Sequence, residues 1–192
     1  MGTTDKPIAL VVGAGDHLGS AIARRFAREG FHLVVTRRRG DLEKLCREIS
    51  DIGSTATAIH SDARDETQVT ELINRVESEL GPIRVAIFNV GGNVRFDLCE
   101  TTARVYQKVW EMCALAGFLV GREVAAKMLT RSEGTILFTG ASASLRGGAG
   151  FSAFAGGKHA LRALAQSMAR ELGPKGIHVG HVIVDGLIRN EA

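Results

Sequence analysis

Two rhythms of apolar and polar residues alternate along this chain. Short unbroken apolar runs, such as 8–12 and 85–88, are separated by stretches in which apolar residues return every three or four positions. The first pattern predicts strands buried on both faces and the second predicts helices with one apolar stripe, which together give a parallel sheet covered by helices. Ile8-Ala9-Leu10-Val11-Val12 runs straight into Gly13-Ala14-Gly15, after which Leu18, Ile22 and Phe26 recur until Gly30 supplies a stop. Arg24, Arg25 and Arg28 fall on the opposite side of that helix. The opening unit therefore reads strand, glycine turn, helix.

The unit repeats. Further strands are predicted at 33–35, 56–60 (weaker), 85–88, 135–138 and 179–184. Asp41 is a good N-cap for a helix bearing Leu42, Leu45, Cys46 and Ile49, which ends before Gly53. Val69, Leu72, Ile73, Val76 and Leu80 mark another, closed by Gly81-Pro82, and two more fall near 102–129 and 153–172. No repeat, charge run or Pro/Ser-rich linker divides the chain. The expected fold class is α/β: one doubly wound, Rossmann-like domain over 1–192, in three layers, with strand order 3-2-1-4-5-6.

Composition narrows the function classes. With 45% hydrophobic residues, 23% charged and 3 prolines in 192 residues, the chain lies in the globular range, away from disorder. A net charge of +3, with no aromatic platform or long basic face, predicts no nucleic-acid partner but admits a small anionic ligand. Cys46, Cys99 and Cys113 lack metal-ligand spacing and are odd in number, so no metal and no disulfide framework is expected. No apolar leader precedes the first strand, and the longest uncharged stretch, 112–121, is half the roughly 20 residues a membrane helix needs. A cytoplasmic protein without membrane contact is expected.

Candidate chemistry begins at the first loop. Glycines at the mouth of a parallel sheet let backbone amides approach a pyrophosphate, and the following helix turns its positive end to the anion. Gly13, Gly15 and Gly19 are placed for that task.

From this loop onward the chain resembles the short-chain dehydrogenase/reductase family. That family's Gly-x-x-x-Gly-x-Gly loop is matched by Gly13-Ala14-Gly15-Asp16-His17-Leu18-Gly19, with His17 where the family keeps a glycine. Asp62 in Ser61-Asp62-Ala63 resembles the family's adenine-contacting aspartate, and Asn89-Val90-Gly91-Gly92 its Asn-Ala-Gly segment. Phe154-x-x-x-Lys158 falls on Tyr-x-x-x-Lys. Family chains run longer and end in a seventh strand, which this sequence lacks together with the substrate lid. The resemblance implies a cofactor-binding set of Gly13, Gly15, Asp16, His17, Leu18, Gly19, Arg37, Arg38, Asp62, Ala63, Asn89, Gly91, Lys158, Asp185 and Gly186. Asp185-Gly186 stands where the family carries Pro-Gly.

A carboxylate after the second strand would bond a ribose 2′-hydroxyl, whereas an arginine would pair with a 2′-phosphate. Thr36-Arg37-Arg38-Arg39 offers guanidinium groups and no acid, so NADP(H) is expected, with NAD open. Asp16, beside the same phosphate, is a counter-signal.

Reducing a carbonyl by hydride builds negative charge on oxygen, which calls for a proton donor and hydrogen-bond donors. The family uses tyrosine, lysine, serine and asparagine. Here Lys158 is kept, Phe154 replaces the tyrosine, Cys113 replaces the asparagine, and the serine position is Ala141 with Ser142 one step on. Two readings follow. One is an NADP(H)-dependent oxidoreductase acting on a small carbonyl or alcohol, with Lys158, Ser142 or His159 relaying the proton. The other is a catalytically impaired relative that binds dinucleotide or a partner chain. The helices near 102–129 and 153–172 are apolar beyond one stripe, and the family buries them against copies of themselves, so a homodimer or homotetramer is expected. Trp110 is read as a core or interface anchor.

Overall fold

β1 (Ile8–Val12) is buried along its whole length because it lies inside the sheet with a strand on either side. The computed structural model describes residues 5–186 and 188. Its other strands are β2 (His32–Arg37), β3 (Thr55–His60), β4 (Ile83–Phe88), β5 (Gly134–Ala141) and β6 (Ile177–Val184). All pair in parallel, in the order β3-β2-β1-β4-β5-β6. The order grows outward from β1 in both directions, so a crevice opens beyond the carboxyl ends of β1 and β4, where connections diverge.

The helices are α1 (Leu18–Arg28), α2 (Glu43–Asp51), α3 (Glu66–Arg75), α4 (Ala103–Trp110), α5 (Ala116–Leu129) and α6 (Ser152–Leu172). Side chains of a strand point alternately to the two faces, and the two cores follow that period. Ile8, Leu10 and Val12 join Phe88 and Phe138 in a core shared with α3, α5 and α6. Ala9 and Val11 join Leu33 and Val35 against α1 and α2. Over β5 and β6 this second layer stops among the described residues, leaving Val182 54% exposed.

Local chemistry fixes the helix starts. Asp65 accepts the Gln68 amide at 3.1 Å, and Thr102 Oγ1 accepts that of Val105 at 3.2 Å. Asp41 caps differently from the sequence expectation: α2 begins at Glu43 with Leu42 in the cap position, while the Asp41 carboxylate accepts the Glu43 amide at 2.6 Å. The helix expected near 102–129 is α4 and α5 joined through a π-helical turn, Glu111–Leu115. That turn rotates the apolar stripe between its two halves. Trp110 accordingly lies 40% exposed, which excludes the core role.

Candidate active site

The crevice is built by tying three strands together at their carboxyl ends. The amides of Gly13 and Ala14 donate to the Thr36 carbonyl, both at 2.9 Å. Asn89 donates from Nδ2 to the Gly13 carbonyl at 3.0 Å and from its backbone to Val12 at 2.8 Å. Gly13 has φ +90°, and a Cβ there would lie 2.7 Å from the Asn89 carbonyl oxygen. A Cβ on Gly19 would lie 2.3 Å from the Gly13 oxygen, so loop and helix touch backbone to backbone. A Cβ on Gly15 would meet nothing within 4 Å, because that glycine faces open space. No side chain caps α1, so its positive end is left directed at the mouth.

Two hollows flank this loop. The smaller, about 270 Å³, is lined by Gly13, Gly15, Thr36, Arg37, Arg38, Ser61, Asp62, Ala63, Arg64, Asn89, Gly91 and Met112 among others. Thr36 and Ser61 line it, and their hydroxyl oxygens are buried without a hydrogen-bond partner among the described residues, a costly state for a polar group. Arg64 grips Asp62 with Nε at 3.0 Å and Nη2 at 2.6 Å. Those bonds, outweighing the burial that opposes them, hold the Asp62 carboxyl at about 2, against an ordinary 3.8. Arg38 lies 3.8 Å from the same carboxylate.

Asp16 and His17 take other places. Asp16 lines a neighbouring depression with Arg24 and Glu48 and pairs with Arg37 Nη1 at 2.8 Å. Its charge is matched by a guanidinium, which removes the repulsion that the sequence implied. Arg37 also gives Nε to the Arg39 carbonyl at 2.5 Å, so Arg38 is the less engaged of the two. His17 is exposed and lines neither hollow.

The larger hollow, about 530 Å³, brings together Leu18, Asn89, Gly91, Ser142, Phe154, Lys158, Asp185 and Gly186, with Asn93, Thr139, Ala141, Arg146 and Phe151. Lys158 is only 4% exposed. Its Nζ donates to the carbonyls of Thr139 at 2.8 Å and Val90 at 3.3 Å, and lies 5.9 Å from the Phe154 ring centre. Burial pushes its pKa below the ordinary 10.5. Ser142 Oγ donates to Asp185 Oδ1, and Arg146 Nη2 lies 3.8 Å from that oxygen.

Cys113 does not reach this wall. It is fully buried beside Val109 and Ala153, within the π-helical turn, and burial raises its thiol pKa against the opposing charge of Lys158. His159 is drawn to its own helix, with Nδ1 2.9 Å from the Ala155 carbonyl. Sequence reasoning missed Arg64, Arg146 and the orphaned hydroxyls of Thr36 and Ser61. Arg64 was open to detection, two residues from Asp62 in a single turn; the hydroxyls carry no local signal. Among the described residues there is no cluster of three metal-ligating side chains, and no helix is long and apolar enough to cross a membrane.

Comparison with known proteins agrees with this geometry. The family model "short chain dehydrogenase" matches residues 7–189, and the chain belongs to that family. A short-chain dehydrogenase from Rhodopseudomonas palustris superposes with a TM-score of 0.89 at 53% identity, over 92% of this chain and 84% of that one. An actinorhodin polyketide ketoreductase solved with NADPH gives 0.90 at 27% identity, over 95% and 71%. An NAD⁺-bound xylitol dehydrogenase gives 0.90 at 26%, over 93% and 70%. The chain spans about two thirds of the length of curated relatives that it matches.

Proposed function

We propose that this protein is an NADP(H)-dependent oxidoreductase that interconverts a small carbonyl compound and its alcohol, with a proton donor other than tyrosine. One observation carries the reading. The hollow bearing two orphaned buried hydroxyls and the guanidinium groups of Arg37 and Arg38 adjoins the hollow that holds buried Lys158, across Asn89 and Gly91.

The residues fit a dinucleotide. The bare loop Gly13–Gly19 would take the pyrophosphate, Thr36 and Ser61 would bond the adenosine portion, and Arg38, with Arg37, would face a 2′-phosphate. Asp62 is committed to Arg64, so no free carboxylate in that hollow would repel the phosphate. When bound, the cofactor supplies or accepts hydride. Lys158 would hold the nicotinamide ribose and keep a positive charge near the developing oxyanion. Leu18, Asp185 and Gly186 would border the nicotinamide.

Fluorescence titration tests cofactor choice. NADPH is expected to bind at least about tenfold more tightly than NADH, and Arg38→Ala to remove most of that difference, as a charge-assisted bond is worth about 1.5–3 kcal/mol. Equal affinities would refute NADP(H) selection, and no binding would refute the function.

The α5–α6 face supports self-association. Phe118, Leu129, Leu164 and Met168 line an apolar groove of about 360 Å³ there, and Phe118 and Leu129 are exposed. A homodimer or homotetramer through this face follows. Sedimentation velocity at micromolar concentration is expected to show it, and a monomer would contradict it.

A further inference from the structure

Resting on the oxidoreductase reading, this inference concerns where the reacting proton goes. Phe154 has no exchangeable proton, and Lys158 Nζ gives two of its three protons to carbonyls, leaving the third for the nicotinamide ribose. Of the other polar side chains described at the wall of the larger hollow, Asn89 and Asn93 are amides and Arg146 is a guanidinium, none of which serves as acid and base. Thr139 and Ser142 are hydroxyls, and Asp185 is the carboxyl group.

Sheet register explains why Ser142 and Asp185 meet. Ala141 and Val184 are the last paired residues of β5 and β6, so the next residue of each strand leaves the sheet beside the other. Ser142 donates its hydroxyl proton to Asp185 Oδ1 across that end. A hydroxyl that donates to a carboxylate keeps its own lone pairs free to accept a proton. Arg146 stands 3.8 Å from the same oxygen and faces it with positive charge.

We infer that Ser142 and Asp185 form a proton relay in place of a phenol at position 154. In the oxidising direction the O–H bond of the alcohol breaks and its proton goes to Ser142 Oγ. The serine's own proton passes at the same time to the Asp185 carboxylate. The adjacent C–H bond breaks, its electron pair leaves as hydride to oxidised nicotinamide, and the carbon–oxygen double bond forms. Reduction runs the same transfers backward, with protonated Asp185 refilling Ser142. Ser142 touches the substrate, and Asp185 acts through it.

Two readouts test the relay in the full chain. Carboxyl-carbon NMR of the cofactor-free protein gives the first: the Asp185 resonance, identified by its loss in Asp185→Asn, is expected to move in Ser142→Ala. An unmoved resonance overturns the pairing. The second is steady-state kinetics with NADP⁺ and a panel of small alcohols. Asp185→Asn keeps side-chain shape yet takes no proton, so kcat is expected to fall about 10²–10³-fold, with a much smaller change in the KM for the alcohol. Ser142→Ala is expected to cost a similar factor, and the double variant no more than the worse single one, because the two act as one unit. Asp185→Asn within about threefold of wild-type kcat overturns the relay, as does a wild type that binds NADPH yet oxidises nothing on the panel. Failure of the wild type to bind NADPH is a separate result, which sinks the oxidoreductase reading itself.

Discussion

Replacing Lys158 by Met is expected to lower kcat/KM for carbonyl reduction by about 10²–10³-fold, the usual cost of removing one positive or hydrogen-bonding group from a developing oxyanion. Lys158 is among the most deeply buried charges described, and its two protein partners are backbone carbonyls rather than a carboxylate. A cation held this way has paid its desolvation without an ion-pair partner, which fits a group awaiting negative charge from a ligand. Methionine has similar length and removes that burial cost, while the Thr139 and Val90 carbonyls lose a donor. The two effects oppose, so the melting temperature is expected to stay within about 4 °C of wild type. Because burial lowers the lysine's pKa, its charge is lost on the acid side of 10.5. Wild-type activity should therefore fall as pH rises through that lowered value, and the variant should lack this alkaline limb. A large drop in melting temperature with kinetics unchanged would assign Lys158 to the core instead.

Gly19→Ala carries the second large effect. The added methyl would sit 2.3 Å from the Gly13 oxygen and 2.8 Å from the Ala14 Cα, both backbone atoms that no rotamer change can clear. Overpacking of this kind costs about 1–3 kcal/mol, or roughly 2–12 °C in melting temperature for a chain of this size. The loop must shift to relieve it, and the loop is held by Thr36 and Asn89, so the displacement reaches the phosphate-facing amides. NADPH affinity is expected to fall more than about tenfold. Gly15→Ala, with nothing within 4 Å of its Cβ, should leave stability unchanged and reduce affinity if the cofactor fills that space. Calorimetry and fluorescence titration on the two variants separate a packing defect from a binding one.

Much of the fold was legible because burial on both faces writes itself as an unbroken apolar run, as in Ile8–Val12. β3 read weakly for a related reason: as an edge strand it is exposed or half-buried along Thr55–His60, so no run is required. The π-helical turns at Val76–Leu80 and Glu111–Leu115 were invisible, since one extra residue per turn changes neither composition nor capping signals. At the site, residues that act through the backbone, Gly13 and Gly19, could be placed from spacing. Pairings across the sheet could not. Asp16 reads as a repulsive charge until Arg37, 21 positions away, is seen to hold it. Ser142 and Asp185 lie 43 positions apart and meet only through the register of β5 and β6. Only the packing of α4 and α6 shows that Cys113 stops short of the cavity.

A crystal of the protein soaked with NADPH tests the central claim most directly. The pyrophosphate is expected on the Gly13–Gly19 amides, the 2′-phosphate against Arg38, and the nicotinamide between Leu18 and Lys158. A soaked crystal whose two hollows stay free of nucleotide density, at NADPH concentrations well above those of the cell, would contradict it.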